Sequence, residues 1–246
     1  MKKITDIRWL NTHKWGVRGF AGGNRAEYNG FRFPRKGVWI EAPDWNPEPK
    51  CGGGFHLMMP EANGFGFRGG NIELVEYRGP FINLGNKAKV RELRRIPCSP
   101  AVLDEALRRC NIRVMRKGEA DHGKGMGVVF GGTVRLFGGI IWASGNAHIK
   151  SYDGNCFAQN RVLLEQYGGW VFVKEHAAVR LFGGGCDICG QGVCVSQYAG
   201  STNVYSSSYI KQYGGYCYVF HNCHVEHYGG LCKTLSKARI VERAGN

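Results

Sequence analysis

The segment 51–56 places a nucleophile and a base five residues apart. It reads Cys-Gly-Gly-Gly-Phe-His, from Cys51 to His56, and the acids Glu41 and Asp44 precede it. A thiol becomes a strong nucleophile when a neighbouring imidazole takes its proton, and a carboxylate can orient that imidazole. Because the spacing singles out neither acid, a packed Cys51 with His56 capping the turn is the competing interpretation. No Lys-Ser/Thr pair follows the glycines, which argues against a phosphate-binding P-loop.

A second group of thiols has the close spacing of a zinc knuckle: Cys186, Cys189 and Cys194. Zinc needs its ligands arranged as one tetrahedron. Strand alternation predicts that Cys186 points inward while Cys189 and Cys194 point outward, so the three thiols would lie on different faces. We therefore favour a bulged coil with two exposed thiols over a zinc site, and we predict no cofactor.

A repeat of about 15 residues fills the second half of the chain. Its aromatic residues occur in steps of 15, 15, 15, 16, 15 and 15, at Phe137, Tyr152, Tyr167, Phe182, Tyr198, Tyr213 and Tyr228. A helical repeat needs about 33 residues, whereas 15 suit two short strands and two tight turns. The repeat predicts a β-solenoid of about eight coils, with parallel strands stacked ~4.8 Å apart, over residues 111–246.

The register of the repeat predicts which side chains point into the solenoid. Cys156, Cys217, Cys232 and Cys223 fall on inward positions, where a free thiol behaves as a small apolar group. An outward charged column contains Lys150, Glu165, Arg180, Ser196, Lys211 and Glu226. A second outward column, here called the outer stripe, contains Trp142, Phe157, Phe172 and Tyr218. Aromatic residues on a surface predict a contact, either with a partner, with the amino-terminal domain or with a sister chain.

Residues 1–110 lack the repeat and predict a small α+β domain, so that the whole chain is mainly β. Apolar alternation indicates strands at 37–41, 71–77 and 89–96, and residues 99–109 indicate a helix that links the domain to the solenoid. Ser99 can cap this helix and Pro100 suits its first position. A basic cluster lies around the third strand: Lys87, Lys89, Arg91, Arg94 and Arg95. It could bind phosphates or an acidic partner, or it could be a solvated strand edge.

The overall composition limits the class of protein and of partner. With 43% hydrophobic residues the chain can bury a core, which excludes the disordered class. The net charge of +14 predicts a nucleic acid, an anionic surface or an acidic protein as partner. No apolar stretch approaches the ~20 residues of a membrane span, and the first residues do not resemble an export signal. We therefore expect an intracellular protein with free thiols.

Residues 51–56, together with the strands 72–76 and 88–95, resemble a largely uncharacterised family of bacteriophage and prophage proteins. In that family a domain with a Cys-Gly-x-Gly-(Leu/Phe)-His segment is joined to a repetitive β-solenoid. The resemblance implies expression in the cytoplasm of a bacterial host. It also implies a binding protein that inhibits an antiviral defence complex, of anti-CRISPR or other anti-defence type. The implied partner is a host protein or ribonucleoprotein complex, and nucleic acid itself is included.

Two alternatives stay open at this stage. The first is an enzyme, ADP-ribosyltransferase-like or otherwise directed at nucleotides, that uses the Cys51–His56 loop. The second is a structural component of the virion, since β-solenoids are common in phage fibres. A homo-oligomer formed through the solenoid face is compatible with each of these readings.

Overall fold

The computed structural model describes residues 2–20, 31–62, 71–235 and 238–243, and the chain forms two compact units, Met1–Val114 and Met115–Asn246. The fold is mainly β, with 56% strand and 6% helix. A parallel β-solenoid of about nine turns follows a small α+β region. The predicted fold class and the coil of about 15 residues are thus confirmed, with one turn more than expected.

The first unit is built around an antiparallel sheet of five strands. Its elements are α1 (Trp9–Thr12), β1 (Trp15–Phe20), β2 (Ile40–Glu41), β3 (Phe55–Leu57), β4 (Asn71–Asn83), β5 (Ala88–Arg95) and α2 (Pro100–Arg109). The strand order is β1-β4-β5-β2, and β3 also pairs with β5. Phe20, Phe33, Phe55 and Val90 belong to one buried cluster. The strand expected at 37–41 is reduced to its last two residues, whereas the other two predicted strands are present.

The predicted helix is α2, and it begins as the sequence indicates. The Ser99 hydroxyl accepts a hydrogen bond from the Val102 amide at 3.4 Å, and Pro100 occupies the first position, where no amide donor is required. Val102, Ala106 and Leu107 are buried on one face of the helix. The amphipathic pattern was therefore sufficient to locate this element.

The second unit is the solenoid. Its elements follow β6 (Ile112–Met115) and are β7 (Glu119–His122), β8 (Met126–Gln159), β9 (Leu163–Gln166), β10 (Trp170–Lys174), β11 (Ala178–Leu181), β12 (Gly185–Ile188), β13 (Cys194–Gln197), β14 (Ser201–Val204), β15 (Tyr209–Gln212), β16 (Tyr216–Val219), β17 (His224–His227), β18 (Leu231–Thr234) and β19 (Arg239–Glu242). The odd-numbered strands from β9 stack in parallel on one side, and the even-numbered strands from β10 stack on the other. β8 pairs with both β9 and β10, so it joins the two stacks.

The coils are packed so closely at one turn that only glycine fits. Gly184 has a φ of 74°, and a Cβ there would lie 2.5 Å from the carbonyl oxygen of Gly169 in the preceding coil. Both the left-handed backbone and the missing side chain are therefore required at this position. The single extra residue of the 16-residue coil falls between Ile188 of β12 and Cys194 of β13. Paired residues are 16 positions apart both between β11 and β13 and between β12 and β14, and the segment from β12 to β13 is common to both intervals.

Candidate functional site

Seven aromatic rings form a continuous stack along one corner of the solenoid. This aromatic ladder consists of the residues that mark the repeat: Phe137, Tyr152, Tyr167, Phe182, Tyr198, Tyr213 and Tyr228. Neighbouring ring centroids are 4.8–5.1 Å apart and the ring planes differ by 6–17°. Each ring covers the face of the next because the parallel register places equivalent residues one coil apart.

The aromatic ladder is exposed along most of its length. Six of its rings, from Phe137 to Tyr213, are 39–49% exposed. Because the faces of the rings are covered by their neighbours, the ladder presents ring edges and tyrosine hydroxyls. Aromatic edges carry partial positive charge, and the hydroxyls can donate or accept hydrogen bonds. In the sequence, these residues indicated only the presence and length of the repeat. Their constant spacing aligns them in one column on the surface of the solenoid, and this was the signal that could have identified the site.

The outer stripe is less accessible than its outward position suggested. Trp142 is only 6% exposed, and Phe157, Phe172 and Tyr218 are partly buried. Trp142 stacks on Phe157 at 5.4 Å and Phe157 stacks on Phe172 at 5.0 Å. Asp187 and Asn203 then separate Phe172 from Tyr218 in the same register. The exposed rings of the solenoid are mainly those of the aromatic ladder, and the outer stripe is a half-buried stack.

The charged column lies in register beside the aromatic ladder, as predicted. Glu165 is within 3.7 Å of the Lys150 ammonium and 3.6 Å of the Arg180 guanidinium, and Lys211 lies 3.9 Å from Glu226. Pairs of this kind on neighbouring strands stabilise by a few tenths of a kcal/mol each. The column thus fixes the alignment of the coils and leaves little uncompensated charge beside the rings.

Glutamines that precede three of the ladder rings link consecutive coils: Gln166, Gln197 and Gln212. The Gln197 side-chain amide donates to the carbonyl of Gly200 in its own turn at 3.1 Å and to that of Tyr216 in the next coil at 2.9 Å. Gln166 and Gln212 make the equivalent pair of hydrogen bonds. This role of the glutamines was not predicted, although the Gln-Tyr-Gly-Gly motif recurs in the sequence.

In the first unit, a buried lysine organises the loop that carries Cys51. Lys89 is fully buried on β5, and its Nζ donates to the carbonyl oxygens of Glu48 at 2.5 Å, Lys50 at 3.0 Å and Gly52 at 3.2 Å. An ammonium has three donors, so these three carbonyls satisfy it. The glycines fit close to this anchor, since a Cβ on Gly54 would lie 2.9 Å from the Lys89 side chain.

The Cys51 thiol is paired with a lysine instead of the predicted histidine. Lys87 Nζ lies 3.1 Å from Cys51 Sγ, and Cys51 is exposed. The hydrogen bond from Lys87 lowers the pKa of Cys51 below its usual value of 9.0, and the charge of Lys89 acts in the same direction. An exposed thiol beside an ammonium is the environment of a reactive cysteine. The neighbouring lysine could not be identified from spacing, because it lies 36 residues further along the chain.

His56 lies on β3, opposite Lys89 in the antiparallel pair. Burial lowers the pKa of His56 to about 4, and the positive charges of Lys87, Arg18 and Lys89 add to this effect. Its buried Nε2 has no hydrogen-bond partner among the described residues. The structure therefore holds a neutral imidazole near the loop, and Cys51 hydrogen-bonds to Lys87.

The predicted basic cluster is occupied by contacts within the chain. Arg95 is bound by Glu73 at 2.7 Å, Arg94 by Glu76 at 2.6 Å and Arg91 by Glu41 at 2.7 Å. Lys89 donates hydrogen bonds to the loop carbonyls, and Lys87 contacts the Cys51 thiol.

The thiols of the zinc-like motif separate as the alternation predicted. Cys186 is buried on β12, whereas Cys189 and Cys194 are exposed. Within the described ranges, no three Cys, His, Asp or Glu side chains are grouped so that they could hold a metal ion.

No family model, curated protein or solved structure matches this chain. The resemblance of residues 51–56 to a phage family is therefore a hypothesis that rests on the sequence motif. Among the residues that the structure describes, no helix has the length and apolar character needed to cross a membrane.

Proposed function

We propose that this protein is a binding protein and that the aromatic ladder is its contact surface for a partner protein. The proposal rests on one observation, the seven stacked rings of which six are 39–49% exposed. Tyrosine is enriched among the residues that dominate binding energy at protein interfaces, because it buries a large area at little entropic cost. A stack held by two β-sheets is also ordered before binding, which reduces that cost further.

The spacing of the rings favours a protein over single-stranded nucleic acid. A base inserted between two rings needs about 7 Å between their planes, twice the ~3.4 Å rise of stacked bases. The ladder rings are only about 5 Å apart, and each is held by its own coil. Base stacking, which supplies much of the affinity in single-strand binding, is thus blocked along the ladder. The basic cluster adds no argument for nucleic acid, since its members have partners in the chain.

The net charge of +14 supports an acidic partner surface. Electrostatic attraction of this kind increases the rate of association more than the final affinity. As to identity, we keep the hypothesis that the partner is a host protein or ribonucleoprotein of a bacterial antiviral defence system, reached in the host cytoplasm. This part of the proposal rests on the sequence resemblance of residues 51–56 alone.

The test is an affinity capture from a bacterial lysate with two matched double variants. Tyr198→Ser with Tyr213→Ser removes two adjacent ladder rings, which stack at 5.1 Å. Tyr205→Ser with Phe220→Ser removes two equally adjacent rings from a different corner, which stack at 4.9 Å and are 47% and 40% exposed. We expect the wild-type protein and the second double variant to retain a partner that the first loses, by at least tenfold in affinity, or about 1.4 kcal/mol.

Nuclease treatment and salt identify the chemistry of that partner. A protein partner should remain bound after nuclease treatment, with a modest dependence on salt. A nucleic acid should be lost on nuclease treatment and should weaken by about 0.9 log units per log unit of salt for each phosphate neutralised. Equal binding by the wild-type protein and the Tyr198/Tyr213 variant would contradict the assignment of the ladder as the contact surface.

An enzyme that uses Cys51 is the second candidate, and the Lys87–Cys51 contact at 3.1 Å favours it. A thiolate held by an ammonium is a nucleophile without needing a histidine base. In that case Cys51→Ala and Lys87→Met should each abolish a covalent mass change on a target protein or nucleotide, whereas His56→Ala should have a smaller effect. A mass change that persists in Cys51→Ala would exclude the loop as the reactive site.

A role as a virion component is distinguished by the assembly state. Phage fibres built from β-solenoids are usually trimers, so a light-scattering mass near three times 27.3 kDa would favour that role. A mass near 27.3 kDa would favour the binding protein.

A further inference from the structure

One inward column of the solenoid contains most of its buried thiols. Four residues after each ladder ring from Tyr152 onward, the column runs through Cys156, Val171, Cys186, Thr202, Cys217 and Cys232. The parallel register places each residue opposite the next. Val171 separates the first two thiols, and Thr202 separates Cys186 from Cys217. Cys217 on β16 and Cys232 on β18 are therefore the one pair of thiols on consecutive coils in this column.

The distance between consecutive coils suits a disulfide. Neighbouring strands lie about 4.8 Å apart, inside the ~4.4–6.8 Å range of Cα separations in disulfides. Thiols two coils apart, such as Cys156 and Cys186, are about twice as far and fall outside that range. Cys217 and Cys232 also stand directly opposite each other in the parallel register of β16 and β18.

The two thiols differ in access and in acidity. Cys217 is buried, whereas Cys232 is only partly buried. β18 is the terminal strand of its stack in the described part of the chain, so it can shift without breaking a second ladder of hydrogen bonds. The adjacent Cys217 thiol lowers the pKa of Cys232 below its usual value, and the neighbouring His227 acts in the same direction while Glu242 opposes it.

We propose that Cys217 and Cys232 are a thiol-exchange pair that closes to a disulfide with a small disulfide oxidant such as oxidised glutathione. The Cys232 thiolate attacks one sulfur of the oxidant, whose S–S bond breaks and releases one glutathione thiolate. Cys217 then loses its proton to solvent and attacks the Cys232 sulfur, which expels the second glutathione. Two protein thiols are oxidised and one glutathione disulfide is reduced, and the last coil becomes covalently linked to the one before it.

Cys223 is the competing thiol at this end of the solenoid. Cys223 is buried. A charge on Cys223 raises the pKa of Cys217, and a charge on Cys232 raises the pKa of Cys223. It lies between β16 and β17 and so does not face Cys232 from the adjacent strand of the same stack, as Cys217 does. We therefore expect the Cys217–Cys232 disulfide to form in preference to a Cys223–Cys232 disulfide.

The test is to treat the folded protein with oxidised glutathione, block the remaining thiols with N-ethylmaleimide and map the linkages. Cleavage after Glu226 and after Phe220 separates Cys217, Cys223 and Cys232 onto three fragments. We expect the Cys217–Cys232 linkage, two hydrogens lighter than the free pair, to exceed any other linkage by roughly tenfold. Trypsin cleavage after Lys233 should also slow on oxidation, because the linked coil opens less often.

Three variants make the outcome specific. Cys217→Val, which places the residue found at Val171 in the same column, should stop at a mixed disulfide between Cys232 and glutathione. Cys223→Ser and the column control Cys156→Val should both retain the Cys217–Cys232 linkage. The proposal is overturned by a dominant Cys223–Cys232 linkage, by glutathione left on Cys232 of the wild-type protein, by a Cys232 that does not react, or by unchanged cleavage after Lys233.

Discussion

The stacking of the coils can be tested with two glycines that share a backbone conformation but differ in their surroundings. Gly184 and Gly125 have φ angles of 74° and 75°. A Cβ on Gly184 would lie 2.5 Å from the Gly169 carbonyl oxygen, whereas a Cβ on Gly125 would meet nothing within 4 Å. Substituting alanine at both positions therefore separates the cost of the backbone conformation from the cost of coil contact.

The expected magnitudes follow from these two terms. The left-handed conformation costs a residue with a Cβ about 1–2 kcal/mol, and this applies to both Gly125→Ala and Gly184→Ala. Gly184→Ala adds the cost of overpacking against backbone, about 1–3 kcal/mol. We thus expect Gly184→Ala to reduce the free energy of unfolding by about 2–5 kcal/mol and Gly125→Ala by about 1–2 kcal/mol. The effect of each alanine on the unfolded chain is the same, so it cancels in the comparison.

The assay is urea unfolding combined with hydrogen exchange. Repeat proteins can unfold coil by coil, so a single midpoint need not report on one transition. Exchange at the Phe182 amide, which donates to the Gln166 carbonyl at 2.8 Å, reports on the coils that Gly184 joins. Equal losses of stability in the two variants would refute the close packing of coils at this turn, and with it the spacing of the aromatic ladder.

Three further predictions concern single contacts. Lys87→Met should raise the pKa of Cys51 toward its ordinary value and slow its alkylation by iodoacetamide at neutral pH, which a pH–rate profile measures. The hydrogen bond that the His227 imidazole donates to the Glu242 carboxylate raises the pKa of His227. The contribution of this contact to stability should therefore be full below about pH 6.5 and should be lost as the pH rises through the raised value. Glu242→Gln should remove that dependence, and NMR titration of the imidazole would show an unshifted pKa. Gln197→Ala should cost about 1–3 kcal/mol in urea unfolding, because two part-buried hydrogen bonds of about 0.5–1.5 kcal/mol each are lost. A loss no larger than that of a surface alanine substitution would count against the linking role.

The solenoid could be predicted from the sequence because each of its coils repeats one local rule. The glycine two residues after each ladder ring, the inward aliphatic residues and the alternating charges recur at a fixed spacing. Parallel stacking converts that spacing into contact. The assignment of Cys156 and Cys186 to the core followed from the same register, and both are buried. The helix α2 was equally accessible, since a cap, a proline and an apolar face are all local signals.

The candidate site in the first unit was only partly predictable. The motif 51–56 drew attention to Cys51, but the proximity of His56 in sequence suggested a partner that the fold does not supply. The antiparallel pairing of β3 with β5 brings Lys87 and Lys89 to the loop from more than 30 residues away. Similarly, the five cations of the basic cluster could be counted, but the pairing of its three arginines with Glu41, Glu73 and Glu76 depends on which strands are neighbours.

The sequence by itself determined where the repeat lies, how long a coil is and which residues share a column, because a period is a property of the chain alone. The tertiary structure decided which columns reach solvent and which groups meet. It exposed the aromatic ladder and buried Trp142, and it paired Cys51 with Lys87. Exposure and long-range contact depend on how separate segments pack against one another, and local spacing carries no information about that packing.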